Sequence, residues 1–308
     1  MTMVADRDVS ESSGHLRLAP RRHYLQVAAA AVVVLLGSLL IESLATNENM
    51  QWAIVWEYLW DARVGEGLVT TLELTVLCMI MGTALAVVLA VMRLSKNRVL
   101  STVSFAYVWF FRGTPLLVQL IFWYNLAALF PVLAVGIPFT DIGAGVSTNT
   151  VITAFVAAVL GFTLNEAAYM SEIVRAGIQS VNIGQREAAV STGMTEAQSM
   201  WRIVLPQAMR VIVPPTANQA INLLKATSLV AFIAGGDLLS AVQDIYAVNF
   251  AVIPLLVVAS IWYLVVVTVA SAGQYYLERW VGRGVTSFSD AAVTDQIASI
   301  EARQGGAV

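Results

Sequence analysis

Three ionisable side chains, Arg112, Glu166 and Lys225, stand inside long apolar runs. Holding a charge at the centre of a bilayer costs about 2.5–3.5 kcal/mol on insertion scales, so each must face protein or a water-filled cavity. Two chemistries fit such groups: contact with a charged solute, or a structural ion pair inside the protein. A second constellation is defined by spacing. Glu187, Ala188, Ala189, Gly193, Ile203, Leu205 and Pro206 lie within a polar stretch between two apolar runs. Gln185 to Ser191 favours a short helix, and Gly193 ends it. Thr195 and Gln198 have capping-box spacing for a second short helix from Glu196 to about Val204, which Pro206 should end. Two short helices of this kind form a rigid knob that another protein could grip.

Other chemistry is excluded. Both histidines, His15 and His23, fall in the N-terminal region, and no nucleophile–base set or metal-ligand spacing is visible. No catalytic residue, metal or cofactor is expected, and the chain reads as not an enzyme. Of 17 basic residues only Lys96 and Lys225 are lysine, in Ser95-Lys96-Asn97 and Leu224-Lys225-Ala226. Neither follows a glycine and precedes Ser or Thr, as a phosphate-cradling Walker A loop requires. The one cysteine, Cys78, sits in an apolar run and reads as a small packing hydrophobe. A net charge of −3 gives no general attraction to nucleic acid.

The elements that must position these residues are helices in lipid. Hydrophobic residues make up 58% of the 308, charged residues 12%, and mean hydropathy is +0.75. Soluble domains carry about 25% charge. Six apolar runs are long enough to cross, since about 20 helical residues span the hydrocarbon. They run over about 24–44, 68–92, 104–130, 151–173, 211–234 and 251–275. Continuous rather than alternating apolarity favours helices over a barrel. The expected fold is therefore an all-α polytopic membrane protein with six transmembrane helices. Gly82, Ala86 and Ala90 on the second run, and Ala154 and Ala158 on the fourth, would let helix backbones approach closely.

Basic residues precede the first run and fill the stretches after the second, fourth and sixth. The other three connections, near 46–66, 131–149 and 236–250, hold Arg63 alone among acids. This asymmetry puts both termini in the cytoplasm. Residues 1–23 read as a disordered cytoplasmic lead, 24–45 as an additional N-terminal transmembrane helix, and 284–308 as a disordered tail. A cleaved signal peptide ending near Ala45 is the alternative for the first run, although its apolar stretch is long for one. If antiparallel spans bring Arg112 and Glu166 to one depth they would pair, leaving Lys225 better placed to meet substrate.

The stretch 175–210 resembles the EAA loop of binding-protein-dependent ABC importer permeases, whose pattern is E-A-A-x3-G-x9-I-x-L-P. Glu187, Ala188, Ala189, Gly193, Ile203, Leu205 and Pro206 match at every spacing. Glu166-Ala167-Ala168 is a decoy, with Glu172 where the glycine should stand. The chain further resembles the polar amino acid uptake subfamily over about residues 65–280. Phe111-Arg112-Gly113-Thr114-Pro115-Leu116, Ala168-Tyr169 with Glu172, Leu205-Pro206-Gln207-Ala208, and Asn222-Leu223-Leu224-Lys225 with Thr227-Ser228-Leu229 carry that likeness. Two departures are the extra first helix and Ala226, where the family often has Asp.

The resemblance implies a type I ABC importer permease fold and a pore-forming subunit of the bacterial plasma membrane that moves a polar amino acid by alternating access. It implies separate ATPase subunits docked at the EAA loop, an extracytoplasmic amino-acid-binding protein, and a second permease subunit making a homodimer or heterodimer. Lys225, Thr227, Glu166 and Arg112 are the candidate substrate path. A secondary transporter driven by an ion gradient is the alternative; it would leave the loop unexplained, and no inverted repeat is visible.

Overall fold

The computed structural model describes residues 24–136 and 143–281. The expectations for 1–23 and 284–308 lie outside them. Helix α1, Tyr24–Thr46, belongs to a unit of its own, residues 1–50, and its apolar window is 0% buried.

The second unit begins with a short helix α2, Trp52–Tyr58, and the long helix α3, Ala62–Leu94. The Asp61 carboxylate caps α3 by accepting from the Arg63 backbone N–H at 2.9 Å. Asn97 caps the next helix, α4, Arg98–Gly113, accepting from Val99 N at 2.9 Å. Its Ser104 hydroxyl donates to the Leu89 carbonyl at 2.8 Å and ties α4 back along α3. After α5, Leu116–Tyr124, come an antiparallel hairpin of β1, Val132–Gly136, and β2, Gly143–Ser147, and a single turn α6, Thr148–Val151. Helix α7, Ala154–Gln179, packs closely on α3. The polar excursion after α7 holds α8, Ile183–Ser191, and α9, Glu196–Ser199. A π-helical turn, Met200–Val204, leads into α10, Leu205–Ala226. A 3₁₀ segment, Thr227–Ile233, then precedes α11, Leu238–Asn249, and α12, Val252–Val281.

Among the described residues α1, α3, α7 and α12 are single helices long and apolar enough to cross a membrane. Two further spans are bent pairs: α4 with α5 at 98°, and the helix from Glu196 to Ile233 with α11 at 41°. Six spans therefore stand if each pair counts as one, although the third and fifth are broken. The only departure from an all-α chain among the described residues is the small hairpin in the third connection.

The break between α4 and α5 follows from Pro115, which forces Thr114 out of the helical region to ψ 140°. Carbonyls freed by a break inside a membrane need new donors. The Gln119 amide supplies one, donating to Phe111 O at 3.0 Å and Thr114 O at 3.1 Å, and Asn165 also donates to Phe111 O at 2.9 Å. A second correction concerns 236–250, expected as an outer loop. It is mostly α11, with Leu238, Val242 and Ile245 buried in a core shared with Val64 of α3 and Leu255 of α12. Buried Asp237 caps α11 by accepting from Leu239 N at 3.1 Å and Ser240 N at 3.2 Å, while Thr71 of α3 accepts from Leu238 N at 3.0 Å.

Small residues set the α3–α7 distance. A Cβ added at Gly82 would lie 2.9 Å from the Glu166 Cβ, and Ala86, Ala90 and Ala158 are fully buried. Cys78 lies in a second core with Leu74, Leu120, Phe162 and Val230, as its sequence context suggested.

Candidate functional site

The excursion below α7 forms from its own local signals. Asn182 caps α8, accepting from Gly184 N at 2.8 Å. Gly193 stops it at φ +85°, a left-handed conformation that glycine adopts without strain. Met194 N then reaches back to Ala189 O at 3.1 Å, which closes a Schellman end. The capping box of α9 is present in both directions: Thr195 Oγ1 accepts from Gln198 N at 3.2 Å, and Gln198 Oε1 accepts from Thr195 N at 3.0 Å. An ion pair from Arg186 to Glu196 links α8 to α9. The Arg186 guanidinium, by hydrogen bond and charge, holds the Glu196 carboxyl below the usual carboxylate range.

Pro206 does not end this helix, as the sequence suggested. The chain winds from α9 through the π turn straight into α10, with Pro206 in the first turn of α10. Proline is tolerated there because the widened turn before it absorbs the register change. Glu187 and Ala188 are accessible on α8 while Ala189 is buried. Ile203, Leu205 and Pro206 lie on the second arm. The seven motif residues therefore form one helix–turn–helix unit whose second arm is continuous with the fifth span.

The candidate substrate-path residues separate into two groups. Arg112 and Glu166 line one cavity of about 370 Å³, together with Thr114, Asn165, Tyr169, Gln219 and Asn222. Lys225 does not line it; this residue is exposed on the last turn of α10. Thr227 is buried, and its hydroxyl donates to Leu224 O at 2.6 Å. Sequence reasoning missed the amides Asn165, Gln219 and Asn222. Uncharged residues within apolar helices carry little signal without knowledge of which face turns inward.

Arg112 and Glu166 are not an ion pair. Among the described residues the ion pairs are Asp61–Arg63, Glu172–Arg175 and Arg186–Glu196. Arg112, in the last turn of α4, instead lies on the Tyr169 ring, its guanidinium carbon 5.1 Å from the centroid. Glu166, only 2% exposed, accepts from Gln219 Nε2 at 3.1 Å through Oε2, and its Oε1 has no hydrogen-bond partner among the described residues. One cavity thus carries an exposed cation, a buried carboxyl and several amides, a set that can hold a small zwitterion.

Comparison with known proteins bears on this pairing of loop and cavity. Residues 82–283 match the family described as binding-protein-dependent transport system inner membrane component. The chain is similar to the arginine transport system permease protein ArgU of Corynebacterium glutamicum, 44% identical over 87% of this chain and 83% of that one. It is 37% identical to the L-cystine transport system permease protein TcyB of Bacillus subtilis, over 80% and 97% of the two chains. A solved structure described as an amino acid ABC transporter with histidines superposes with a TM-score of 0.60 at 35% identity, covering 71% of this chain and 94% of that one.

Proposed function

The chain belongs to the family of binding-protein-dependent transport system inner membrane components and is a multi-pass permease subunit of an ABC importer; from that premise we propose that it carries a polar amino acid inward through the cavity of Arg112 and Glu166. Residues 65–280 act as the transporting domain, preceded by the added helix at 24–45. Both termini face the cytoplasm, as the basic-residue asymmetry requires. The knob of α8 and α9 docks in an ATPase subunit through Glu187, Ala188 and Ala189. Gly193 shapes its turn, and Ile203, Leu205 and Pro206 join it to the fifth span. The observation that carries this reading is the continuity from α9 through the π turn into α10. A push on the knob then moves a helix that bears Gln219 and Asn222, two residues of the cavity wall.

Substrate arrives from an extracytoplasmic amino-acid-binding protein. Gln207, Asn218, Asn222 and Lys225 are all exposed on α10, a polar stripe that lipid would not accommodate. We assign that face to the aqueous pathway and a second permease subunit. Lys225 then meets water or the facing subunit rather than this chain's own cavity. The arginine and cystine relatives differ in side-chain charge, so their names support an amino-acid substrate without choosing its class.

The test is loss of coupling without loss of insertion. Glu187→Lys and Gly193→Val should leave the protein in the membrane but reduce co-purification with its ATPase and abolish substrate-stimulated hydrolysis. Wild-type values for both variants in both measurements would refute the docking assignment.

A further inference from the structure

Three cavities follow one another along α7. The first, of about 550 Å³, opens where α5 and α7 meet the hairpin side, beside Asn125, Asn149 and Thr153. The cavity of Arg112 and Glu166, about 370 Å³, comes next. A third, of about 380 Å³, lies toward the polar excursion, lined by Arg93 near the end of α3, by Phe105 and Trp109 of α4, and by Glu172 of α7. The two barriers between them differ. The first and middle cavities share no lining residue. Leu120 of α5 and Phe162 of α7, 0% and 1% exposed, pack there in one core, and a Cβ added at Gly161 would lie 2.6 Å from Leu120 Cδ2. The middle and third cavities instead share Arg112, Gly113 and Tyr169. That wall is a single layer of side chains.

What holds the thin wall is a cation–π stack, the Arg112 guanidinium carbon lying 5.1 Å from the Tyr169 centroid. Both side chains are exposed, and Arg112 is in none of the ion pairs among the described residues. Glu172, the carboxylate of the third cavity, is already held by Arg175, whose Nη2 lies 2.6 Å from its Oε2, so it does not draw Arg112 off the ring. A Cβ added at Gly113 would meet nothing within 4 Å, so the chain beside Arg112 leaves room for a side chain to swing. Exposed rotamers change quickly and a cation–π contact at an exposed site is weak, so this wall can open without moving a helix. We propose that Tyr169, clasped by Arg112, is the inner gate residue of this chain. With the ring on Arg112 the middle cavity is shut toward the polar excursion; with the ring lifted the two cavities join into one passage. The packed barrier at Leu120 and Phe162 keeps the other side closed meanwhile. The proposal rests on the reading above that the middle cavity is the pathway and the excursion is cytoplasmic.

The test reads access to the middle cavity directly. Ala226, which lines that cavity and not the third, is changed to cysteine on a Cys78→Ala background. The full-length chain, assembled with its ATPase and free of nucleotide, is exposed to a membrane-impermeant cationic thiol reagent in inside-out vesicles. Tyr169→Ala should raise the labelling rate about tenfold, the gain expected where a latch closed about 90% of the time is lost. Tyr169→Phe keeps a ring face for the guanidinium and should stay within about threefold of the parent. Arg112→Gln should raise the rate as Tyr169→Ala does. An unchanged rate in Tyr169→Ala overturns the proposal, and so does a rise as large in Tyr169→Phe, which would make the hydroxyl and not the stack responsible. An equal rise in right-side-out vesicles also overturns it, since a loosened fold would admit reagent from both sides. Protection of Ala226→Cys by a mixture of polar L-amino acids checks the cavity reading separately. Its absence, with the Tyr169→Ala effect intact, defeats that reading and leaves the gate standing.

Discussion

Gly82 bears directly on Glu166. Any side chain there meets the Glu166 Cβ at 2.9 Å, where two helix backbones already touch. Gly82→Val should lower the apparent melting temperature in detergent, with a loss of about 1–3 kcal/mol, as overpacking of a tight seam does. Gly273 on α12 is the control. A Cβ there meets nothing within 4 Å, and Gly273→Ala in mid-helix should be neutral or stabilising by about 0.5–1 kcal/mol. Equal melting shifts for the two variants would show that the seam does not constrain Glu166. At the proposed coupling loop the constraint is conformational. Gly193→Val puts a β-branched residue at φ +85° and should weaken ATPase co-purification, whereas Gly193→Asn should be tolerated because Asn visits that region. The sequence showed that Gly193 must turn the chain. It did not show that Gly82 bears on a carboxyl, because the two lie on different helices far apart in the chain.

At the scale of elements, the break between α4 and α5 depends on a side-chain amide. Gln119 is buried and holds two carbonyls that the turn at Pro115 leaves without helical donors. Gln119→Leu keeps the bulk and removes the donor. It should destabilise the protein by about 1–3 kcal/mol, the cost of a buried polar group left unpaired. Amino-acid binding should weaken with it, because Thr114, Pro115 and Leu116 of the break line the proposed cavity. Thermal unfolding together with ligand titration checks this, and an unchanged melting temperature would show that other donors suffice. The apolar run itself was legible from sequence over 104–130, but its bend was not. Hydropathy averages over residues and does not change when a helix turns, and Pro115 marks a boundary without setting an angle. Pro206 is the converse case. Its local rule suggested an end, yet the π turn before it lets the helix continue.

At the scale of the whole molecule, the proposed topology puts Ser147 in β2 outside and Ser191 at the end of α8 inside. On a Cys78→Ala background, Ser147→Cys should react with a membrane-impermeant thiol reagent in intact cells. Ser191→Cys should react only after lysis, and the opposite pattern would invert the topology. Cys78 is fully buried in the α3–α7 core and should label poorly in either condition. The proposed orientation rests on arginine and lysine counts outside the spans, which depend on which loops carry positive charge and not on how the helices pack.

What the sequence determined alone was set by local rules: the number of apolar runs, the capping box and glycine turn of the proposed coupling loop, and its seven-position spacing. Each depends on residues within one or two helical turns of one another, so it can be read along the chain. The tertiary structure alone decided that Arg112 and Glu166 share a cavity without pairing. It also decided that Lys225 lies outside that cavity and that 236–250 is mostly packed helix rather than loop. These outcomes depend on helix crossings between segments dozens of residues apart. There the close approach at Gly82, the bend at Pro115 and the amides of Gln119 and Gln219 settle which side chains meet.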